Sequence, residues 1–229
     1  MTAKEQTTTM SSPSTRRSRG RVARARPSLI ALGVAIVVLV LAFFNVAVVS
    51  IDDVNAGSGD TFDPVAFAEE EFSASIVPAI EEEAIELPTL LTDLAAGADE
   101  AEFGNTSGAS RAYAFPVTFA AVAGELAGPV LPLTVEGVPV DTTVQLQVGP
   151  ALNGTALRDV TGDISFNSFV NQLEYQNVAT ELNNQVREQV LSGIDPATLP
   201  GKTLKITGAF LRVNPALVSV IPVDIEVVS

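Results

Sequence analysis

Tyr113-Ala-Phe-Pro-Val-Thr-Phe119 changes the period of the chain. Tyr113, Phe115, Val117 and Phe119 alternate with Ala114, Pro116 and Thr118, the two-residue repeat of a strand with one face in a core. Leu131, Leu133 and Val135 continue that period, Glu136-Gly137 can turn the chain, and Val144, Leu146 and Val148 alternate with Thr143, Gln145 and Gln147. Near the end Leu204, Ile206 and Phe210 predict a fourth strand around Gly208. Asn214-Pro215 marks a turn, and Ile221, Val223, Ile225 and Val227 predict a fifth. Pro116 and Pro222 inside these runs predict edge positions or bulges, because proline has no N–H for a sheet ladder.

Between the third and fourth strands lies one long helical pattern. Tyr175, Val178, Leu182, Val186 and Val190 keep one stripe, and Ser192-Gly193 ends it. Phe166, Phe169, Val170 and Leu173 fall on the opposite side at 100° per residue, so one straight helix cannot bury both groups. Phe166 to Val170 is therefore expected as a separately packed apolar turn, or as a helix start wedged between two layers. Three strands, a helix and two strands is the order of an OB-type barrel. The expected fold class is α+β: an OB-like five-stranded antiparallel barrel with a helix between strands three and four, preceded by short helices and a single transmembrane helix.

Upstream of the barrel, Asp63-Pro64 supplies a capping acid and a proline for the first helical turn, and Val65, Ala68, Phe72 and Ile76 recur at helical spacing. Pro78 should kink or restart this helix, and Pro88 can open another through Leu90, Leu91 and Leu94. Glu81 to Glu83 reads as a solvated face, and Gly97 to Gly108 as a loop.

Further back, Leu29 to Val49 carries no charge and only Asn45 as a strongly polar residue. About 20 apolar residues suffice for a helix to cross a hydrocarbon core. Arg16, Arg17, Arg19, Arg21, Arg24 and Arg26 precede the run, while Asp52, Asp53, Asp60 and Asp63 follow it. By the positive-inside rule the N-terminus is cytoplasmic and the rest of the chain lies outside. The run is also longer than a secretory apolar region, which favours an anchor over a cleaved signal. The expected organisation is a disordered basic tail over 1–27, a transmembrane anchor over 28–50, a tether over 51–60, a helical segment and loop over 61–108, and the OB-like domain over 109–229.

Composition narrows the chemistry. The tail holds net +6, so the −14 of the 229-residue chain leaves −20 beyond it. Nonspecific nucleic-acid binding rests on Lys and Arg neutralising phosphates, and only Arg111, Arg158, Arg187, Lys202, Lys205 and Arg212 remain, so no nucleic-acid partner is expected. Cys and His are absent, which removes thiolate metal sites, cysteine nucleophiles and the commonest general base. No cofactor or metal is expected. A hydrolase would need two carboxylates, of which Asp159 with Glu174 is the most obvious pair, or a Ser with a Lys, and Lys202 and Lys205 lie at a strand start with no flanking motif. The chain reads as no enzyme.

The densest polar information lies in Gly149-Pro-Ala-Leu-Asn-Gly-Thr-Ala-Leu-Arg-Asp159 and Phe166-Asn-Ser-Phe-Val-Asn-Gln-Leu-Glu-Tyr175. Gly149, Pro150 and Gly154 set Thr155, Arg158 and Asp159 on a loop before the helix. Thr155, Arg158, Asp159, Asn171, Gln172, Glu174 and Tyr175 make a candidate ligand site, with planar polar groups for hydroxyls and an aromatic face for a C–H surface, as a saccharide needs. The plainer reading has Arg158 and Asp159 as a local ion pair, Asn167 or Ser168 as a helix cap, and Tyr175 in the core.

These segments carry a resemblance. Phe62-Asp63-Pro64, Gly149-Pro150, Gly154-Thr155-Ala156-Leu157-Arg158-Asp159, Ile164-Ser165-Phe166, Asn171-Gln172, Glu174-Tyr175, Leu182-Asn183, Gly201-Lys202-Thr203 and Thr207-Gly208-Ala209-Phe210 resemble the bacterial domain of unknown function 2291. That family is described as predicted periplasmic lipoproteins, often near sugar ABC transporters. The resemblance spans about residues 60–228 and implies an accessory role in solute uptake, with a transporter component or a saccharide as partner; it brings no catalytic residues. With no cysteine to acylate, the apolar run must do any anchoring. The alternative function is a structural or assembly factor of the cell envelope without a ligand, and a carboxylate-dependent hydrolase comes third.

Overall fold

Asp63 opens the ordered part of the chain as a helix cap: its Oδ1 accepts from the N–H groups of Val65 (2.9 Å) and Ala66 (3.2 Å), with Pro64 in the first turn. The computed structural model describes residues 62–107 and 111–228; the tail over 1–27, the apolar run over 28–50 and the tether over 51–60 lie outside the described residues. Among the described residues no helix is long and apolar enough to cross a membrane.

Helix α1 (Pro64–Glu71) runs into a π turn over Phe72–Ile76, and α2 (Val77–Glu83) follows. The π turn lies just before Pro78, where the ring crowds the carbonyl of Ala74 and has no N–H to offer it; the chain widens there, and Val77 N–H donates to Phe72 O. Ala68, Phe72, Ile76 and Ile80 are buried, while Val65 is half exposed. A two-residue strand, β1 (Ile85–Glu86), leads into α3 (Leu87–Ala95), whose Leu87, Leu90, Leu91 and Leu94 enter the core. Glu81 to Glu83 are exposed.

The barrel consists of β2 (Ala114–Ala123), β3 (Val130–Thr134), β4 (Thr143–Gln147), β5 (Thr203–Leu211) and β6 (Leu217–Val227). The strands join in the order β2, β3, β4, β6, β5, and β5 returns to β2 along nine partners from Ala114↔Leu211 to Val122↔Thr203. Phe115 stacks on Phe210 with centroids 5.4 Å apart, and Leu131 faces Leu146 across β3 and β4. Pro222 sits opposite Gly208, beside a register shift at Thr207/Gly208, which is the bulge its missing N–H requires.

The barrel is mixed, which corrects the antiparallel expectation. β4 and β6 run parallel, from Thr143↔Leu217 to Leu146↔Val220, and the other four contacts around the ring are antiparallel. The reason is parity. Strand direction cannot alternate around a closed ring with an odd number of members, so at least one neighbouring pair must be parallel. β1 adds a further parallel pair outside the ring, with Ile85 beside Val117.

Between β4 and β5 come the short helix α4 (Ala156–Asp159) and the long helix α5 (Gln172–Gln185), which continues as a π segment over Val186–Leu191. Tyr175, Val178, Leu182 and Val186 form the buried stripe. Beyond Val186 the wider turns shift the phase, so Leu191 is buried where an α repeat puts Val190, and Val190 is only partly covered. Phe166–Ser168 forms a separate 3-10 turn, capped by Ser165, and Asn171 starts α5 afresh. Of the apolar turn, Phe169 packs inward, its ring 5.2 Å from Phe62, 5.9 Å from Phe67 and 5.5 Å from Tyr175, while Phe166 and Val170 are exposed. Residues of α1, α2, α3, α5 and the barrel share one hydrophobic core.

Candidate functional site

The segment between β4 and α4 is gripped from both sides. Gln147, at the end of β4, holds Asn153 through both backbone groups: Asn153 N–H donates to Oε1 (2.7 Å), and Nε2 donates to Asn153 O (3.0 Å). From α5, Asn183 Nδ2 donates to Gly154 O at 3.0 Å. Gly154 adopts φ +106°, a conformation that favours glycine, and so turns the chain into Thr155.

This turn delivers Arg158 to the head of α5. Arg158 Nε donates to Asp159 Oδ1 at 2.7 Å, and Nη1 donates to Tyr175 O at 3.3 Å. Its guanidinium carbon lies 3.7 Å from the centroid of the Tyr175 ring, a cation–π contact. Asp159 is 1% exposed, and its Oδ2 accepts from Thr155 Oγ1 at 2.6 Å. Phe166 meets Tyr175 edge-on at 5.5 Å.

A cleft of about 420 Å³ opens here, lined by Ser107, Thr155, Arg158, Phe166, Gln172, Tyr175 and Gln176. Four residues singled out in the sequence, Thr155, Arg158, Gln172 and Tyr175, therefore share one concave surface. Asp159 is behind it, pairing Arg158. Asn171 and Glu174 are turned away to cap α5: Asn171 Oδ1 accepts from Glu174 N–H (2.9 Å), Asn171 Nδ2 donates to Glu174 Oε1 (3.0 Å), and Glu174 Oε2 accepts from Val170 N–H (3.1 Å). This reciprocal arrangement satisfies backbone donors at the helix start. The caps expected at Asn167 or Ser168 are thus supplied by Ser165 for the 3-10 turn and Asn171 for α5.

Sequence reasoning missed Ser107, Phe166 and Gln176 as lining residues. Gln176 was discoverable, since it lies one helical turn after Gln172 and so on the same face. Phe166 carried an apolar signal only, and Ser107 reaches the cleft from a distant loop with no local pattern.

The family model described as predicted periplasmic lipoprotein (DUF2291) matches residues 35–226. The chain belongs to this family. The description places DUF2291 proteins outside the cytoplasm and at the membrane, as the motif resemblance implies. Among solved structures, the chain is similar to an OB-fold protein from Thermotoga maritima, whose crystal structure is at 1.90 Å resolution. The two are 20% identical over 74% of this chain and 99% of the other, with a TM-score of 0.56, a likeness of fold alone. No curated protein matches the chain. This DUF2291 member has no cysteine among its 229 residues, so its sequence offers no thiol for the lipid that the family description names.

Proposed function

We propose that the protein is a non-catalytic binding module, held at the outer face of the membrane by the apolar run over 28–50, that takes a saccharide in the cleft at the head of α5 and assists a sugar ABC transporter. The observation that carries this reading is the composition of the cleft: a guanidinium stacked on Tyr175, the edge of Phe166, and the amides of Gln172 and Gln176 around one hollow. Sugars are bound by such sets, the aromatic surface meeting C–H groups and planar amides taking hydroxyls. Asp159 and Glu174 do not line the cleft; one is sealed against Arg158 and Thr155, the other caps a helix, and this supports binding over hydrolysis by that pair.

Calorimetric titration of the full-length protein in lipid nanodiscs with a panel of mono- and disaccharides tests the reading. Saturable heat with one or more sugars is expected, together with slower uptake of that sugar when the gene is deleted; a flat titration across the panel overturns it. The second reading, a ligand-free structural or assembly factor of the envelope, draws on the burial of Arg158 and Asp159, at 5% and 1% exposure. Gln172→Ala separates the two, since Gln172 is exposed and lines the cleft. Binding predicts lost affinity at an unchanged melting temperature.

A further inference from the structure

Two residues that line the cleft carry buried hydroxyl oxygens with no partner among the described residues. Tyr175 is 3% exposed and its Oη makes no hydrogen bond there; Ser107 is partly buried, and its Oγ is buried and unbonded. Both residues line the same cleft. A hydroxyl withdrawn from water without a hydrogen bond lowers stability. Phenylalanine at position 175 would keep the ring under Arg158 and against Phe166 and Phe169 without that cost, so packing gives no reason for the phenol.

The charge of the cleft is balanced as well. Among the described residues Arg158 is its only charged lining residue, and the Asp159 carboxylate sits 2.7 Å from Nε, with its other oxygen bonded to Thr155. An anionic ligand would meet a neutralised pair inside a strongly acidic domain, whereas an uncharged hydroxyl can both donate to and accept from a phenol and a serine. We infer that Tyr175 and Ser107 are the specificity-determining contacts of the cleft, that they take uncharged hydroxyls of the ligand, and that the cleft selects a neutral sugar over its acidic counterpart. The assignment rests on the saccharide reading above.

The test uses the full-length protein in nanodiscs with neutral hexoses and their uronic acids, together with the variants Tyr175→Phe and Ser107→Ala. A hexose should bind the wild-type protein at least tenfold more tightly than the matching uronate. Each variant should weaken the hexose about fivefold or more, with the melting temperature of Tyr175→Phe equal to or above that of the wild type. Unchanged hexose affinity in either variant, a uronate bound as tightly as its hexose, or a melting temperature several degrees lower for Tyr175→Phe overturns the assignment while leaving the binding reading intact. Absence of binding by the wild-type protein to every sugar overturns the binding reading itself, and the assignment with it.

Discussion

Arg158 and Asp159 show how one pair of neighbouring residues can be both framework and cleft wall. Asp159 lies wholly inside with both oxygens engaged, while Arg158 is braced by Asp159 and the Tyr175 carbonyl and still lines the cleft. Removing one member of a buried pair leaves the other charge uncompensated, so Asp159→Asn should cost about 3–5 kcal/mol in urea unfolding. Gln172→Ala, at an exposed position, should stay within about 0.5 kcal/mol. Equal losses in the two variants would contradict this division between support and contact. The sequence showed these side chains as candidates because Gly154 and the start of α5 bracket them; the local ion pair of the plainer reading is present, and Thr155, Arg158, Gln172 and Tyr175 line one cleft. Which polar residues are spent on local bonds, as Asn171 and Glu174 are, depends on where each helix begins, and a helix boundary is hard to read to the residue.

At the scale of elements, local chemistry carried far. Asp63-Pro64 starts α1, Pro88 lies in the first turn of α3, and the stripe from Tyr175 to Val186 is buried along α5 and into the π segment after it. Asp63→Ala should cost about 1 kcal/mol through loss of the cap, measured by thermal unfolding. Departures from regular geometry were less legible. The π segment at Val186–Leu191 moves the buried phase by one residue, from Val190 to Leu191, and β1 is too short to show a period. The bulge at Gly208 makes a sharper prediction: a Cβ there would collide with the backbone of Ile221 and Pro222, closer than a real methyl comes. Gly208→Ala should therefore destabilise by about 3 kcal/mol, as overpacking against an unyielding backbone does, read as a lower urea midpoint. A neutral result would mean that β5 and β6 can slide apart at the bulge.

For the whole molecule, the proposed single-pass anchor and the absence of cysteine predict a membrane-held protein with no cysteine-linked lipid. Full-length protein should stay in the membrane fraction after alkaline carbonate washing, and its intact mass should be that of an uncleaved, unlipidated chain. Release into the supernatant would contradict the retained anchor. The sequence by itself determined the five barrel strands in chain order, the helix between the third and fourth of them, the acidic balance and the absence of thiol and imidazole side chains, because these follow from local periodicity and composition. Only the tertiary structure decided that β4 and β6 run parallel, and that Ser107, Phe166 and Gln176 meet Arg158 and Tyr175 in one cleft. Ring closure and the meeting of distant loops are set by how elements pack in space, and no repeat along the chain records them.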